Sequence, residues 1–123
     1  MSRAAWSCAV FGVYAFAMGV GLVLAPNLLL GLFRFAPTDE PWASVAGAIA
    51  LAIGVYYLVC ARNEVEPFMR ASIYGRTMFC CVTCALAWRY QTPMLVVFGV
   101  VDLLGALWTA WALGRDARSR SGP

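Results

Sequence analysis

The chain has 123 residues, 63% of them hydrophobic and only 12% charged, a composition that no water-soluble domain of this length could carry on its surface. Nine arginines, no lysine and six acids leave a net charge of +3, and in so apolar a chain this excess reports orientation in a membrane rather than nucleic-acid binding. Histidine is absent, which excludes imidazole metal sites, haem ligation and histidine acid–base chemistry.

In chain order, four apolar runs are each long enough to cross a hydrocarbon core, which takes about 20 helical residues. The expected fold is therefore all-α, an integral membrane four-helix bundle forming a single transmembrane domain over residues 1–123. The first run covers 4–25. Arg3 gives it the look of a signal peptide, but it is too long for a signal core, and Pro26 directly follows the only small-residue cleavage candidate, Val23, Leu24 and Ala25. A retained span is expected. Pro26 and Asn27 break the helix, and 28–35 is too short to cross, so it is expected along the outer interface, before the polar turn at 37–41. The second span covers 42–61, and 62–67 return the chain to water. The third covers 70–88, 89–93 make a short outer turn, and the fourth covers 94–113. Residues 114–123 form a basic cytoplasmic tail, expected to be disordered.

Arginine placement orients the set. Arg3, Arg62, Arg70, Arg115, Arg118 and Arg120 fall on one side and only Arg34 and Arg89 on the other, which places both termini in the cytoplasm. Trp6, Trp42, Trp88, Tyr90, Trp108 and Trp111 lie near span ends, as amphipathic rings do at a headgroup boundary.

Lipid tails are as apolar as leucine, so helices associate in a membrane through close backbone approach and polar contacts. Small-residue stripes are present at Ala15 and Gly19, Ala43 and Gly47, Ala50 and Gly54, and Gly99 and Ala106. The first two spans also echo each other at an offset of 35 residues, as in Gly12/Gly47, Ala15/Ala50 and Gly19/Gly54. Such an echo is either compositional or the trace of an inverted duplication of the kind found in transporters.

Asp102 interrupts the fourth span near its middle, where a charge costs at least ~2.5 kcal/mol, so it should face the protein interior and be neutral or partnered. It is either a functional carboxyl or a hydrogen-bonding residue that fixes packing. Arg76 lies ~8–9 Å from the cytoplasmic boundary against ~16 Å for Asp102, so snorkelling outward is expected, with a stretched Arg76–Asp102 pair as the alternative. Tyr56, Tyr57, Thr77 and Thr109 share the depth of Arg76, and Tyr14 reaches the level of Asp102. Asp102, Arg76, Tyr56, Tyr57, Thr109 and Tyr14 are thus the candidates for a ligand-binding or polar core open to the cytoplasm, although tyrosines at such depths also serve as interfacial belt residues.

Cysteine occurs at Cys8, Cys60, Cys80, Cys81 and Cys84, an odd number within apolar stretches, which argues against a disulfide framework. Cys80, Cys81 and Cys84 form pairs that share a helix face and could meet a soft metal or a disulfide. They have no histidine or carboxylate beside them and lack the positive helix N-terminus that activates a redox thiol, so helix packing is the expected role and redox chemistry the alternative. No catalytic residue, metal site or cofactor is named by any motif, because phosphate loops, nucleophile elbows and zinc signatures are absent.

Gly54-Val55-Tyr56-Tyr57 ending the second span, Tyr74-Gly75-Arg76 opening the third, and Asp102-Leu103-Leu104-Gly105-Ala106-Leu107-Trp108-Thr109 in the fourth give a layout that resembles the small bacterial DoxX-like membrane proteins over most of the chain. The resemblance implies a bacterial inner (cytoplasmic) membrane and an association with thiol and quinone redox complexes. Three functions are then in play. The leading one is a non-enzymatic binding or accessory subunit for a lipid-soluble small molecule, such as a lipid or quinone, or for a partner membrane protein. The others are a proton- or cation-coupled transporter working as a homodimer, and a thiol/quinone membrane redox protein.

Overall fold

An apolar run that meets no water must satisfy its backbone N–H and C=O groups within itself, and it does so as a helix. The computed structural model describes residues 2–121, and among them there are five helices and no strand: α1 (Arg3–Leu24), α2 (Pro26–Leu32), α3 (Trp42–Arg62), α4 (Glu66–Tyr90) and α5 (Met94–Ser121). Three of them, α1, α3 and α5, are long and apolar enough to cross a membrane. The 25 residues of α4 would extend about 37 Å, but Ser72, Arg76 and Thr83 interrupt their apolar character.

The element ends follow local chemistry. Pro26 opens α2 and Pro67 falls in the first turn of α4, positions where the missing N–H costs nothing. Residues 66 and 67, expected in a loop, therefore belong to a helix. Arg34, Glu64 and Gln91 each adopt positive φ (63°, 54° and 54°) just past a helix. In each case the next N–H returns to the last turn: Phe35 to Leu30 O (2.7 Å), Val65 to Cys60 O (3.0 Å) and Thr92 to Ala87 O (3.0 Å). These are Schellman closures built without glycine. The basic tail, expected to be disordered, continues α5 as far as Ser121, while Gly122 and Pro123 lie outside the described residues. Gly114 alone does not stop the helix, because Ala117 and the arginines around it are strong helix formers and suit a C-terminal turn.

By contact the chain divides into two units, residues 10–59 and residues 2–9 with 60–121. In the first, α1 and α3 run antiparallel at backbone distance. A Cβ placed on Gly54 would lie 2.8 Å from Phe16 N and 2.9 Å from Gly12 O, and one on Gly47 would lie 2.9 Å from Gly19 O. The offset of 35 carries the contact Gly12–Gly54 onto Gly47–Gly19, so the echo read in the sequence coincides with a contact that maps onto itself when the helices are exchanged. Ser44 Oγ adds a bond to Leu22 O at 3.4 Å.

In the second unit α4 and α5 pack antiparallel. Met69, Ser72, Arg76, Thr83 and Ala87 form the buried stripe of α4, and Ala106, Thr109, Ala112 and Leu113 that of α5. The start of α1 is held by two distant carboxylates. Ser2 donates its N–H to Glu64 Oε1 (2.6 Å) and its Oγ–H to Glu64 Oε2 (2.8 Å), and the N–H groups of Arg3 and Ala4 donate to Asp116 (3.4 and 3.1 Å). The orphan donors of a helix N-terminus are thus bonded to negative charge, which the helix dipole favours.

The glycine contacts set a clear contrast. Gly54→Ala should lower stability by about 1–3 kcal/mol, because backbone rather than a flexible side chain blocks the new methyl. Gly75→Ala, where a Cβ meets no atom within 4 Å, should be neutral or raise stability by up to ~1 kcal/mol. Thermal unfolding in detergent followed by circular dichroism distinguishes the two.

Candidate functional site

Ser72 and Arg76 stand one turn apart on the buried stripe of α4. Arg76 is 2% exposed, and its guanidinium points inward: Nε donates to Ser72 O (3.3 Å), and Nη2 donates to Ser72 Oγ (3.1 Å) and to Thr109 Oγ1 on α5 (2.8 Å). The expectation that Arg76 snorkels outward is therefore wrong. Two hydroxyls at the right depth, one from each helix, both accept from Nη2, while Nε is bonded by the Ser72 carbonyl.

Thr109 is itself completely buried, and its hydroxyl reaches Ser7 Oγ on α1 at 2.7 Å and Gly105 O at 3.1 Å. Ser7 Oγ in turn reaches Ala4 O, and Ser72 Oγ donates to Met69 O, each at 2.7 Å. Each hydroxyl has one proton. Thr109 and Ser7 therefore have two consistent arrangements: Thr109 donates to Ser7 while Ser7 donates to Ala4 O, or Ser7 donates to Thr109 while Thr109 donates to Gly105 O. In both, Thr109 keeps a lone pair for Arg76, so the guanidinium bond survives either choice.

Asp102 lies on the same face of α5 as Ala106, Thr109 and Leu113, is half-buried, and stands within electrostatic reach of Arg76. Of the sequence candidates, the structure thus joins Arg76 and Thr109 directly and brings Asp102 near. Tyr14, Tyr56 and Tyr57 belong to the other unit. There Phe11 sits against Tyr14 and Tyr57, with ring centroids 5.8 and 4.8 Å apart, and Tyr57 is buried while Tyr56 is 61% exposed. Tyr57 is accordingly a packing residue of that unit. Thr77 is exposed and bonds only the carbonyl of Ile73 one turn back (2.7 Å).

All five cysteines are free; Cys81 and Cys84 are exposed and Cys80 half-buried. The expectation that this cluster packs the helices of the chain together fails for Cys81 and Cys84, which lie off the buried stripe set by Ser72, Arg76, Thr83 and Ala87. Ser7 and Ser72 are members of the network that sequence reasoning missed. Ser72 was legible as the residue one turn before Arg76, and Ser7 as a hydroxyl in an otherwise apolar first span.

Thr109→Val removes the acceptor that Arg76 uses on α5 and should cost about 1.5–3 kcal/mol, the range for a hydrogen bond to a charged group. Thr77→Val, which loses only a bond within its own helix, should stay within about 0.5 kcal/mol of wild type. Equal melting shifts for the two would refute the central role of Thr109.

Compared with known proteins, the chain matches no family model, no curated protein and no solved structure.

Proposed function

We propose that the chain is a multi-pass protein of the bacterial inner membrane in which α1, α3, α4 and α5 all cross the bilayer with both termini in the cytoplasm. We further propose that it serves as a non-enzymatic binding or accessory subunit for a lipid-soluble small molecule or a partner membrane protein. The observation that carries this reading concerns α4. Of the polar residues within its apolar length, Ser72, Arg76 and Thr83 are buried and the exposed Thr77 bonds the Ile73 carbonyl of its own helix, whereas Met78, Phe79, Cys81, Val82, Cys84 and Leu86, which α4 also exposes, are groups that lipid accepts. A polar group enclosed by protein does not meet the hydrocarbon, so it does not oppose insertion as its hydropathy value suggests.

Orientation follows from arginine: Arg3, Arg62, Arg70, Arg115 and Arg118 mark one set of helix ends, Arg34 and Arg89 the other. The resemblance to DoxX-like proteins supports the bacterial location. The binding role is supported by Asp102, a carboxyl within the apolar length of α5 that is half-buried rather than enclosed. At that depth it offers a hydrogen-bonding partner to a quinone-like molecule or to a polar group on a neighbouring helix.

Two measurements test this. In sealed vesicles Cys81 and Cys84 should resist a charged maleimide and react once the membrane is dissolved in dodecyl sulfate, as read by peptide mass mapping. Reaction at the rate of an aqueous thiol in intact vesicles would remove α4 from the membrane. Native mass spectrometry of gently extracted protein should show a bound small molecule or second subunit, lost in Asp102→Asn although that variant melts within about 1 kcal/mol of wild type, as expected for one interhelical hydrogen bond. A bare wild-type monomer would overturn the binding role.

A further inference from the structure

Where the cytoplasmic ends of α4 and α5 meet under the proposed topology, the charges are sorted. Glu64 and Asp116 turn to the start of α1, where they accept the N–H groups of residues 2–4 beside a small cavity of about 210 Å³. Leu113 borders that cavity and also a larger groove of about 540 Å³ on another side, lined from α4 by Arg70, Ile73 and Tyr74 and from α5 by Ala110, Leu113 and Gly114. The groove has no acid in its lining. Its floor is apolar and its charged lining residue is a guanidinium.

The side chains of Arg70 and Tyr74 are largely exposed, at 61% and 78%. Glu66 accepts one hydrogen bond from Arg70 Nη2 at 2.7 Å, which fixes the guanidinium in place while engaging one of its five donors. Arg118 stands one helical turn beyond Gly114. Gly114 leaves the groove open, since a Cβ there would meet no atom within 4 Å. The volume falls within the range of small-molecule sites.

From this charge complementarity we infer that the α4–α5 groove is a binding site for an anionic phospholipid of the cytoplasmic leaflet. An acyl chain lies along Ile73, Ala110 and Leu113, and the phosphate meets the Arg70 guanidinium, with the Tyr74 ring at headgroup level. Guanidinium and phosphate match as a planar fork and a set of acceptor oxygens, and the inner leaflet supplies such lipids. The inference rests on the membrane reading above but not on Asp102 or its ligand.

The full chain is reconstituted in vesicles of equal phosphatidylglycerol and phosphatidylcholine, tested for co-flotation, then extracted gently and weighed by native mass spectrometry. Wild type should retain phosphatidylglycerol over phosphatidylcholine by about fivefold, the ratio that one arginine near a membrane surface corresponds to. Arg70→Gln should bring that preference close to parity. Gly114→Phe, which fills open space, should lose the retained lipid while melting like wild type. Equal retention of the two lipids by wild type would overturn the inference, as would an undiminished preference in Arg70→Gln or undiminished lipid in a folded Gly114→Phe. Failure to co-float would overturn the membrane reading and this site with it, whereas insertion without lipid preference overturns the site alone.

Discussion

A guanidinium enclosed among helices as apolar as these has to be hydrogen-bonded where it stands, because the loss of its hydration is one of the largest penalties a side chain can incur. Arg76 meets that demand with Ser72 on its own helix and Thr109 on α5. The geometry then fixes much else. Thr109 faces α4, so Ala106 and Leu113 on the same stripe face it too, and the antiparallel register of the two helices is set. Ser7 shares the Thr109 hydroxyl, which ties the first turns of α1 to the same point. Lysine could not replace arginine here without loss, since Nη2 serves both hydroxyls and a lysine has no second nitrogen for the Ser72 carbonyl that Nε bonds.

The second constraint is the start of α1. Its first N–H groups meet the carboxylates of Glu64 and Asp116, which come from the α3–α4 connection and from the end of α5. Glu64 holds positive φ, a conformation that costs a non-glycine residue about 1 kcal/mol or more, and its carboxylate is the one that chelates Ser2 through both oxygens. Glu64 and Asp116 are thus committed to the N-terminus of α1.

Much of this was legible in the sequence because it depends on patterns along the chain. The boundaries of α1 and α3 followed from apolar length and from Pro26 and the polar turn at 37–41, and the small-residue stripes announced the close approach at Gly47 and Gly54. What was not legible depends on direction in space. Arg76 lay close enough to the span end to snorkel, and only the placement of two hydroxyls, one of them 33 residues away, turns it inward. The early start of α4 and the helical tail escaped for a related reason. Residues 62–67 read as a polar return to water and 114–123 as a charged tail, whereas Pro67 falls in a first turn and Asp116 is bonded to the start of α1.

The two units are held by opposite means, and they should respond differently to change. Between α1 and α3 the fit is steric: backbone meets backbone at glycine, no charge is involved, and any added atom must push the helices apart. Between α4 and α5 the fit is directional: donors and acceptors must face each other, and a side chain of unchanged size but different polarity is enough to break it. Gly99 shows both rules in one place, since a methyl there would run into the Thr83 hydroxyl and Cys80, yet Thr83 itself is satisfied by the carbonyls of Phe79 and Cys80. The Thr83 hydroxyl therefore fills space against α5 without bonding it. Of the buried hydroxyls on the α4 and α5 stripes, Ser72 and Thr109 bind the guanidinium, and the network ends where the arginine's reach ends. Asp102 lies toward that end, half-buried where Thr109 is enclosed.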